Sequence, residues 1–328
     1  MLALLKYGCG LPLNRIDNLQ ESFGQPLSAS TQWDILNASA FSLSPVVDAM
    51  MKFAAQGSLI HNDDTTMKVL SFLNQDSERK GVYTTAIVSK CEEHRVALFM
   101  TGHNHAGENL TEVLKNRIKA LAPPIQMCDA SSMNTSKDFE TILANCLAHA
   151  RRQFVDIVDH FPDECRYVIE QFAQVYHNDT LTGQMTPEQR LSYHKEQSGP
   201  VMEDLKGWCE RQLEEKKVEP NSELGKAVNY LLRHWKALTR FLEVPGAPLD
   251  NNICERGLKC AIRHRKNSLF YKTQRGAHVG DLFMSLIHTC QLQGVNPLAY
   301  LTWLLKNASD LKRAPENYLP WRYGKAPP

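Results

Sequence analysis

Apolar residues recur at helical spacing through the first part of the chain, residues 1–57. Ser28–Thr31 has the composition of a helix start, because serine and threonine side chains accept hydrogen bonds from free backbone N–H groups. Ser44 and Pro45 predict the start of a separate helix, since proline fits the first helical turn. The apolar residues that follow at helical spacing are Val46, Val47, Met50, Met51 and Ala54. We therefore predict an amino-terminal helical segment.

From Ser58 the pattern changes to short runs of apolar and β-branched residues, which are typical of strands. Three such runs follow one another at 59–64, 82–88 and 95–100. The polar segment 90–94 separates the last two and has the length of a hairpin connection. These runs predict an antiparallel meander of three strands.

Helical and strand patterns then alternate. Residues 109–122 predict a helix that ends before Pro123 and Pro124, and Ile125–Cys128 is a short apolar run typical of a buried parallel strand. Residues 138–145 and 151–158 both predict helices. The order of strands and helices indicates an α/β core, with a mixed sheet covered by helices, over residues 58–162.

The remaining chain is predicted to be mainly helical. Residues 163–245 show long helical periods without a strand signal and are predicted to be a helical insertion. Residues 246–275 are predicted to return to the core with a helix, and residues 276–328 to form a carboxy-terminal helical segment. Within that segment 278–292 is amphipathic, Asn296 and Pro297 begin a last helix, and the proline-rich tail from Arg313 is predicted to be loosely held.

Composition limits the classes of function. The chain of 328 residues has 37 Lys+Arg against 36 Asp+Glu, so any binding to nucleic acid depends on local patches rather than on the net charge of +1. Its nine cysteines include no Cys-x-x-Cys pair, which predicts reduced thiols and a cytoplasmic protein. No apolar stretch has the length of a signal peptide or a membrane span, so we expect no membrane association.

One segment, Pro248–Arg275, is strongly cationic, and after the Asp250-Asn-Asn run near its start its only acid is Glu255. An isolated carboxylate in a cationic field is typical of a metal ligand beside a polyanion. The basic residues of the segment are Arg256, Lys259, Arg263, Arg265, Lys266, Lys272 and Arg275.

Two further acids are candidate partners for Glu255. Asp63 ends the first predicted strand and Asp129 follows the fourth, so their carboxylates meet at one sheet edge if those strands are neighbours. Three hard oxygen ligands suit Mg²⁺ or Mn²⁺ rather than zinc. Two such ions, about 3.5–4 Å apart, would activate an attacking oxygen and stabilise a leaving one, which is phosphodiester chemistry.

Four motifs, in order along the chain, resemble the transposases of the insertion-sequence-66 family. HNDDT at 61–65 is similar to a family strand ending in Asp-Glu-Thr, and NCLAHARRQF at 145–154 to a Cys-Trp-Ala-His-Ala-Arg-Arg-x-Phe segment. DNNICER at 250–256, with RKNSLF at 265–270, and the closing GVNPLAYL at 294–301 complete the set. The chain departs from the family in having Asp129-Ala-Ser where Gly-Tyr usually follows the second Asp. Longer members carry an amino-terminal DNA- and zinc-binding extension, and we expect this chain to be a short or truncated form without it.

The resemblance implies an RNase H-like core of the DDE group, with Asp63, Asp129 and Glu255 as catalytic ligands of two Mg²⁺ or Mn²⁺ ions. It implies double-stranded DNA, both element ends and target, as the partner, and a homo-oligomer on DNA. Accessory proteins encoded by the element are candidate further partners. DNA contacts are expected from Arg151, Arg152, Arg256, Lys259, Arg263, Arg265 and Lys266.

Several of these residues also fit structural roles that involve neither metal nor DNA. Asp64 competes with Asp63, although adjacent strand residues point to opposite faces and the motif favours Asp63. Glu255 fits a capping box with Asn252, and Asp129 fits an ordinary strand-end turn. Arg151 and Arg152 suit surface ion pairs as well as phosphates, and His149 suits a buried structural position as well as catalysis.

Three functions are compatible with these patterns. The first is a DNA transposase that cuts element ends and transfers strands. The second is a truncated or repurposed remnant that binds DNA without cutting it. The third is a metal-dependent nuclease of the same fold that lacks the joining step. The fold alone does not choose among them.

Overall fold

A computed structural model describes residues 1–73 and 79–324 of the chain. Its strands are β1 (Leu59–Thr66), β2 (Tyr83–Cys91), β3 (His94–Gly102), β4 (Ile125–Cys128) and β5 (Ile142–Asn145). The helices of the amino-terminal half are α1 (Leu13–Ser22), α2 (Ala29–Ala54), α3 (Ala106–Leu114), α4 (Leu147–Val155) and α5 (Pro162–Thr180). Those that follow are α6 (Pro187–Gln197), α7 (Gly199–Glu214), α8 (Glu223–Leu238), α9 (Asn252–Ser268), α10 (Gln274–Leu292), α11 (Pro297–Lys306) and α12 (Ala308–Leu311).

The chain divides into two compact units. The first unit comprises Met1–Pro124, Ser132–Glu140 and Asn252–Pro328, and the second comprises Ile125–Ser131 and Thr141–Asn251. In the first unit β1, β2 and β3 form the predicted antiparallel meander. In the second unit β4 and β5 are parallel. Strands of both orientations with many helices confirm the predicted mixed α/β fold, consistent with an RNase H-like core.

Side chains of α10 cover the edge of the meander. Every second amide of β3 points away from β2, and three of these donate to α10: Ala97 N to Thr289 Oγ1 (2.9 Å), Phe99 N to Ser285 Oγ (2.9 Å) and Thr101 N to Asp281 Oδ2 (2.7 Å). The three acceptors recur every four positions and therefore lie on one helix face. An exposed strand edge is thereby capped. The helix predicted as amphipathic over 278–292 corresponds to α10, which is instead buried along nearly its whole length. Its buried polar side chains have partners in the backbone of β3.

The predicted break at Ser44 and Pro45 is wrong, since α2 continues through both residues. Proline has no N–H to donate to the carbonyl four residues earlier. Ser44 Oγ donates to that carbonyl, Phe41 O, at 3.1 Å and replaces the missing bond. The predicted start at Ser28 is confirmed, because its Oγ accepts from Thr31 N at 3.2 Å.

The third helix is shorter and begins earlier than its apolar pattern predicts. It ends at Leu114, and both Ile118 and Leu121 are exposed. The chain beyond it turns toward the end of α2, where Gln56 binds Asn116 O through Nε2 (2.8 Å) and Ile118 N through Oε1 (3.0 Å). These side-chain bonds stand in for further helical bonds, so the predicted helix to residue 122 is wrong.

The second unit contains β4, β5 and five helices. The helix predicted over 138–145 is wrong, because Ile142–Asn145 is a strand paired in parallel with β4. Thr141 Oγ1 donates to Gln126 Oε1 at 2.9 Å beside that pair. The helical character predicted for 163–245 is confirmed by α5 to α8.

The end of the described chain is packed rather than loose. Tyr318 and Leu319 are buried, and Tyr300 Oη donates to Tyr318 O at 2.6 Å. The predicted loose tail is therefore wrong as far as Gly324. Asn296 caps α11 as predicted, with Oδ1 accepting from Leu298 N at 2.9 Å.

All nine cysteines are free thiols, as predicted, and only Cys9 is exposed. In residues 1–73 and 79–324, no helix combines the length and the apolar character that a membrane crossing requires.

Candidate active site

Asp63 lies in the middle of β1, half-buried, opposite Ala86 of β2. Its Oδ1 accepts from the amide of Asp64 at 2.8 Å and from Asn134 Nδ2 at 3.4 Å. Asn134 belongs to a short 3₁₀ turn that is held against β1, because Asn62 Nδ2 donates to Asn134 O at 2.7 Å. The carboxylate is thus oriented by a neighbouring turn of the first unit.

Asp64 has a different task from its neighbour. Its Oδ2 accepts from His105 Nδ1 at 3.0 Å and from Ala106 N at 3.1 Å. Ala106 is the first residue of α3, so Asp64 stabilises the start of that helix, together with Glu108, which accepts from His105 N at 2.9 Å. Alternation along β1 turns Asp63 to the opposite face. The structure gives Asp64 a structural role and leaves Asp63 as the candidate ligand.

Glu255 lies in the first turn of α9, half-buried, and α9 packs against β1 and β2. The contact is close beside Asp63: Cys254 Sγ donates to Ala86 O at 3.2 Å, and Ala86 is the cross-strand partner of Asp63. Since α9 begins at Asn252, Glu255 occupies its fourth position, one beyond that of a capping-box glutamate. The first unit therefore brings Asp63 and Glu255 onto adjoining elements.

Asp129 belongs to the second unit and follows β4 directly. Its Oδ1 accepts from Ser131 N at 3.0 Å, as in an Asx turn, and its carbonyl accepts from Asn145 Nδ2 at 3.2 Å. Burial, followed by the nearby charge of Asp129, raises the pKa of Tyr230 to about 12. Asp129 is half-buried and has the turn role that its position allows, and its role as a ligand stays a prediction.

Four cations form a stripe along α9. Arg256, Lys259, Arg263 and Lys266 are exposed and spaced three, four and three positions apart, which places them on one helix face. Glu255 lies at the border of this cationic stripe. Within residues 1–73 and 79–324 none of the four is in an ion pair with a carboxylate.

Arg265 is oriented differently from the cationic stripe. Its Nη1 donates to Thr65 Oγ1 at 3.1 Å and to Thr66 Oγ1 at 2.5 Å, and it also contacts Thr66 O. These bonds join α9 to the end of β1. Arg265 thus has an intramolecular role in the first unit, and its contact with DNA stays a prediction.

Arg151 and Arg152 are exposed on α4 in the second unit, and neither is in an ion pair with a carboxylate among the described residues. His149 is half-buried on the same helix. The exposed Arg151 and Arg152 are accessible to phosphate, but no other feature of the second unit indicates a phosphate site there.

The chemistry of the donors fits a divalent cation. Asp63, Asp129 and Glu255 are carboxylates, each half-buried, and carboxylate oxygens are the ligands that Mg²⁺ and Mn²⁺ prefer. Asn134 was not indicated by any sequence pattern, because its contact with Asp63 joins residues 71 positions apart.

Comparison with known proteins assigns the chain to a family. The model of the Transposase IS66 family matches residues 1–279. Two proteins of Sinorhizobium fredii (strain NBRC 101917 / NGR234) are similar over 98% of the chain: uncharacterized protein y4jD, 27% identical, and uncharacterized protein y4hP, 25% identical. The chain spans 65% and 61% of their lengths. No solved structure matches. The matched region covers most of the chain and all three candidate acids, so the chain belongs to the IS66 transposase family.

Proposed function

We propose that this chain carries the catalytic part of a DNA transposase, which cuts the ends of its element and joins them to target DNA. The observation that carries the proposal is the position of Glu255. It borders the cationic stripe of α9, and the same helix packs beside Asp63 through Cys254 and Ala86. A carboxylate pair next to a cationic surface suits a phosphodiester substrate.

In this proposal Asp63, Asp129 and Glu255 hold two Mg²⁺ or Mn²⁺ ions, which supply the charge that activates an oxygen nucleophile and stabilises the leaving oxygen. Asn134 orients the Asp63 carboxylate through Oδ1. Arg265 keeps α9 against the end of β1 and so fixes the position of Glu255 relative to Asp63. The protein forms no covalent intermediate, and its contribution is positioning and charge stabilisation.

The cationic stripe binds the DNA backbone in this proposal. Its side chains are exposed, share one face and have no carboxylate partners in the described part of the chain, so they are available to phosphates. Arg151 and Arg152 on α4 are proposed as further phosphate contacts. A homo-oligomer on DNA is expected, because a transposase pairs two element ends.

Strand transfer with a labelled duplex carrying the element's end tests the proposal. Asp63→Asn and Glu255→Gln remove a negative charge and keep the shape of the side chain. We expect each to lower Mg²⁺-dependent cleavage and joining by at least about 100-fold, since the reacting centre then has one anionic ligand fewer. Binding to the same duplex without metal should change by less than about threefold.

Glu243→Gln is the matched control. Glu243 pairs with Arg240 at the surface of the second unit and is outside the proposed site, so the variant should retain activity. Unchanged strand transfer in Asp63→Asn or Glu255→Gln would remove that residue from the site. DNA binding without cleavage by the unaltered protein would favour a non-catalytic remnant, and cleavage without joining would favour a nuclease.

A further inference from the structure

Two neighbouring apolar side chains are displayed at the end of α9. Leu269 is 64% exposed and Phe270 is 39% exposed. Both follow the last residue of α9 and lie between Lys266 and Lys272, which are exposed cations. Two adjacent exposed apolar side chains inside a cationic segment form a candidate contact surface for a binding partner.

The backbone holds Leu269 in a conformation that is unfavourable for leucine. Its φ is +67°, in the left-handed region. Among the described residues the other non-glycine positions with positive φ are Glu92 and Lys216, both polar and in turns. Leu269 N donates to Arg265 O at 2.9 Å, so the strained residue caps α9 in a position where glycine or asparagine is usual. Strained residues cluster at functional sites, which makes the exposed Leu269 side chain a candidate for a binding role.

Both sides of this pair are firmly fixed. After it, Tyr271 is buried, donates from N to Lys68 O at 2.8 Å and accepts at O from Leu70 N at 2.9 Å. Before it, Asn267 Nδ2 donates to Gly10 O at 3.1 Å. The exposed pair is therefore presented by a fixed backbone rather than by a loose loop.

We propose that Leu269 and Phe270 form an apolar wedge that inserts between bases of DNA bound along α9. The inference rests on the proposed function, because it takes DNA as the partner. Charge complementarity selects this occupant: the wedge is flanked by the cationic stripe, Lys272 and Arg275, all exposed. Apolar side chains placed among phosphate-binding cations are a known means of unstacking a base step.

The geometry also gives the place of insertion. From Glu255 to Ser268 the helix extends about 20 Å, at 1.5 Å per residue. At 3.4 Å per base pair, this corresponds to about six base pairs. The wedge would therefore unstack a step at about that distance from the scissile phosphate and fix the register of the DNA end on the protein.

Binding without metal to duplexes containing 2-aminopurine tests the wedge, since no chemistry occurs. The probes are a perfect duplex and the same duplex with one T·T mismatch beside 2-aminopurine, because a weakened step is easier to unstack. We expect the unaltered protein to bind the mismatched duplex at least about fivefold tighter and to raise its fluorescence. Leu269→Asn and Phe270→Ala should lose both effects and keep affinity for the perfect duplex within about twofold.

Leu269→Asn separates a folding defect from a binding defect. Asparagine tolerates the left-handed backbone, so its melting temperature should be no lower than that of the unaltered protein. Phe23→Ala is the matched control, because Phe23 is 71% exposed and lies outside the cationic segment. An unchanged mismatch preference in Leu269→Asn and Phe270→Ala would overturn the wedge while the proposed function stands. A protein that binds neither duplex would overturn both.

Discussion

Cys254 Sγ donates to the carbonyl of Ala86 at 3.2 Å, and Ala86 is the cross-strand partner of Asp63. Cys254 is buried and directly precedes Glu255. The hydrogen bond links residues 168 positions apart and fixes the first turn of α9 beside the centre of the meander. Two acids that are remote in the sequence are thereby carried by adjoining elements, which is the structural basis of the proposed metal site.

The two neighbouring aspartates of β1 should respond differently to substitution. Asp64→Ala removes the acceptor for His105 Nδ1 and Ala106 N, and we expect the free energy of unfolding to fall by about 1–2 kcal/mol. Strand transfer per folded molecule should remain within about threefold, because Asp64 faces away from the site. Urea unfolding and the strand-transfer assay measure the two quantities. A stable but inactive Asp64→Ala would exchange the roles of Asp63 and Asp64.

The cationic stripe should determine the salt dependence of DNA binding. Removing one cation that binds a phosphate lowers the slope of log K against log salt by about 0.9. We expect Lys259→Ala and Arg263→Ala each to reduce the slope by about that amount, measured by anisotropy of a labelled duplex over a salt series. Lys206→Ala is the control, since Lys206 lies 3.9 Å from Glu210 on α7 and should leave the slope unchanged. If all three variants had the same slope as the unaltered protein, the DNA would not be bound by the cationic stripe.

Asp281 should make stability depend on pH. Burial raises its pKa to about 7, and the hydrogen bonds from Thr101 only partly oppose this shift. An unfolded aspartate titrates near about 4, so between about pH 4 and 7 the folded chain binds one more proton than the unfolded chain. The contribution of Asp281 to the free energy of unfolding is therefore largest below about pH 4. It decreases by an amount on the order of 3–4 kcal/mol as the pH rises to about 7.

Asp281→Asn tests this dependence, because an amide resembles the uncharged acid and keeps partners at Thr101 N and Oγ1. The variant should show a flatter unfolding free energy between pH 4 and 7 in urea titrations. Asp310→Asn, at an exposed position on α12, is the control and should retain the slope. Parallel pH profiles for Asp281→Asn and the unaltered protein would show that Asp281 does not titrate in this range.

Local sequence patterns predicted those elements that are stabilised by interactions between residues close together in the sequence. Ser28 is an example, since its acceptor role needs only the amide of Thr31. The break at Pro45 was a wrong prediction, because Ser44 supplies the missing hydrogen bond. The strand at Ile142–Asn145 depends on pairing with β4, which a helical composition conceals.

The candidate site was only partly accessible from the sequence. Motif resemblance indicated Asp63, Asp129 and Glu255, and alternation along a strand separated Asp63 from Asp64. The hydrogen bond of Asn134 with Asp63 and the inward orientation of Arg265 depend on chain segments that meet only after folding. Composition does not reveal which of several neighbouring cations points inward.

The proposed function requires that Asp63 and Glu255 hold metal ions together. Fe²⁺ bound in place of Mg²⁺, with ascorbate and peroxide, cuts the polypeptide close to its ligands, and mass spectrometry locates the cuts. A shared metal site predicts cleavage near both residue 63 and residue 255, suppressed by excess Mg²⁺ and absent in Glu255→Gln. Cleavage at neither place, or cleavage near residue 63 that persists unchanged in Glu255→Gln, would contradict a shared site.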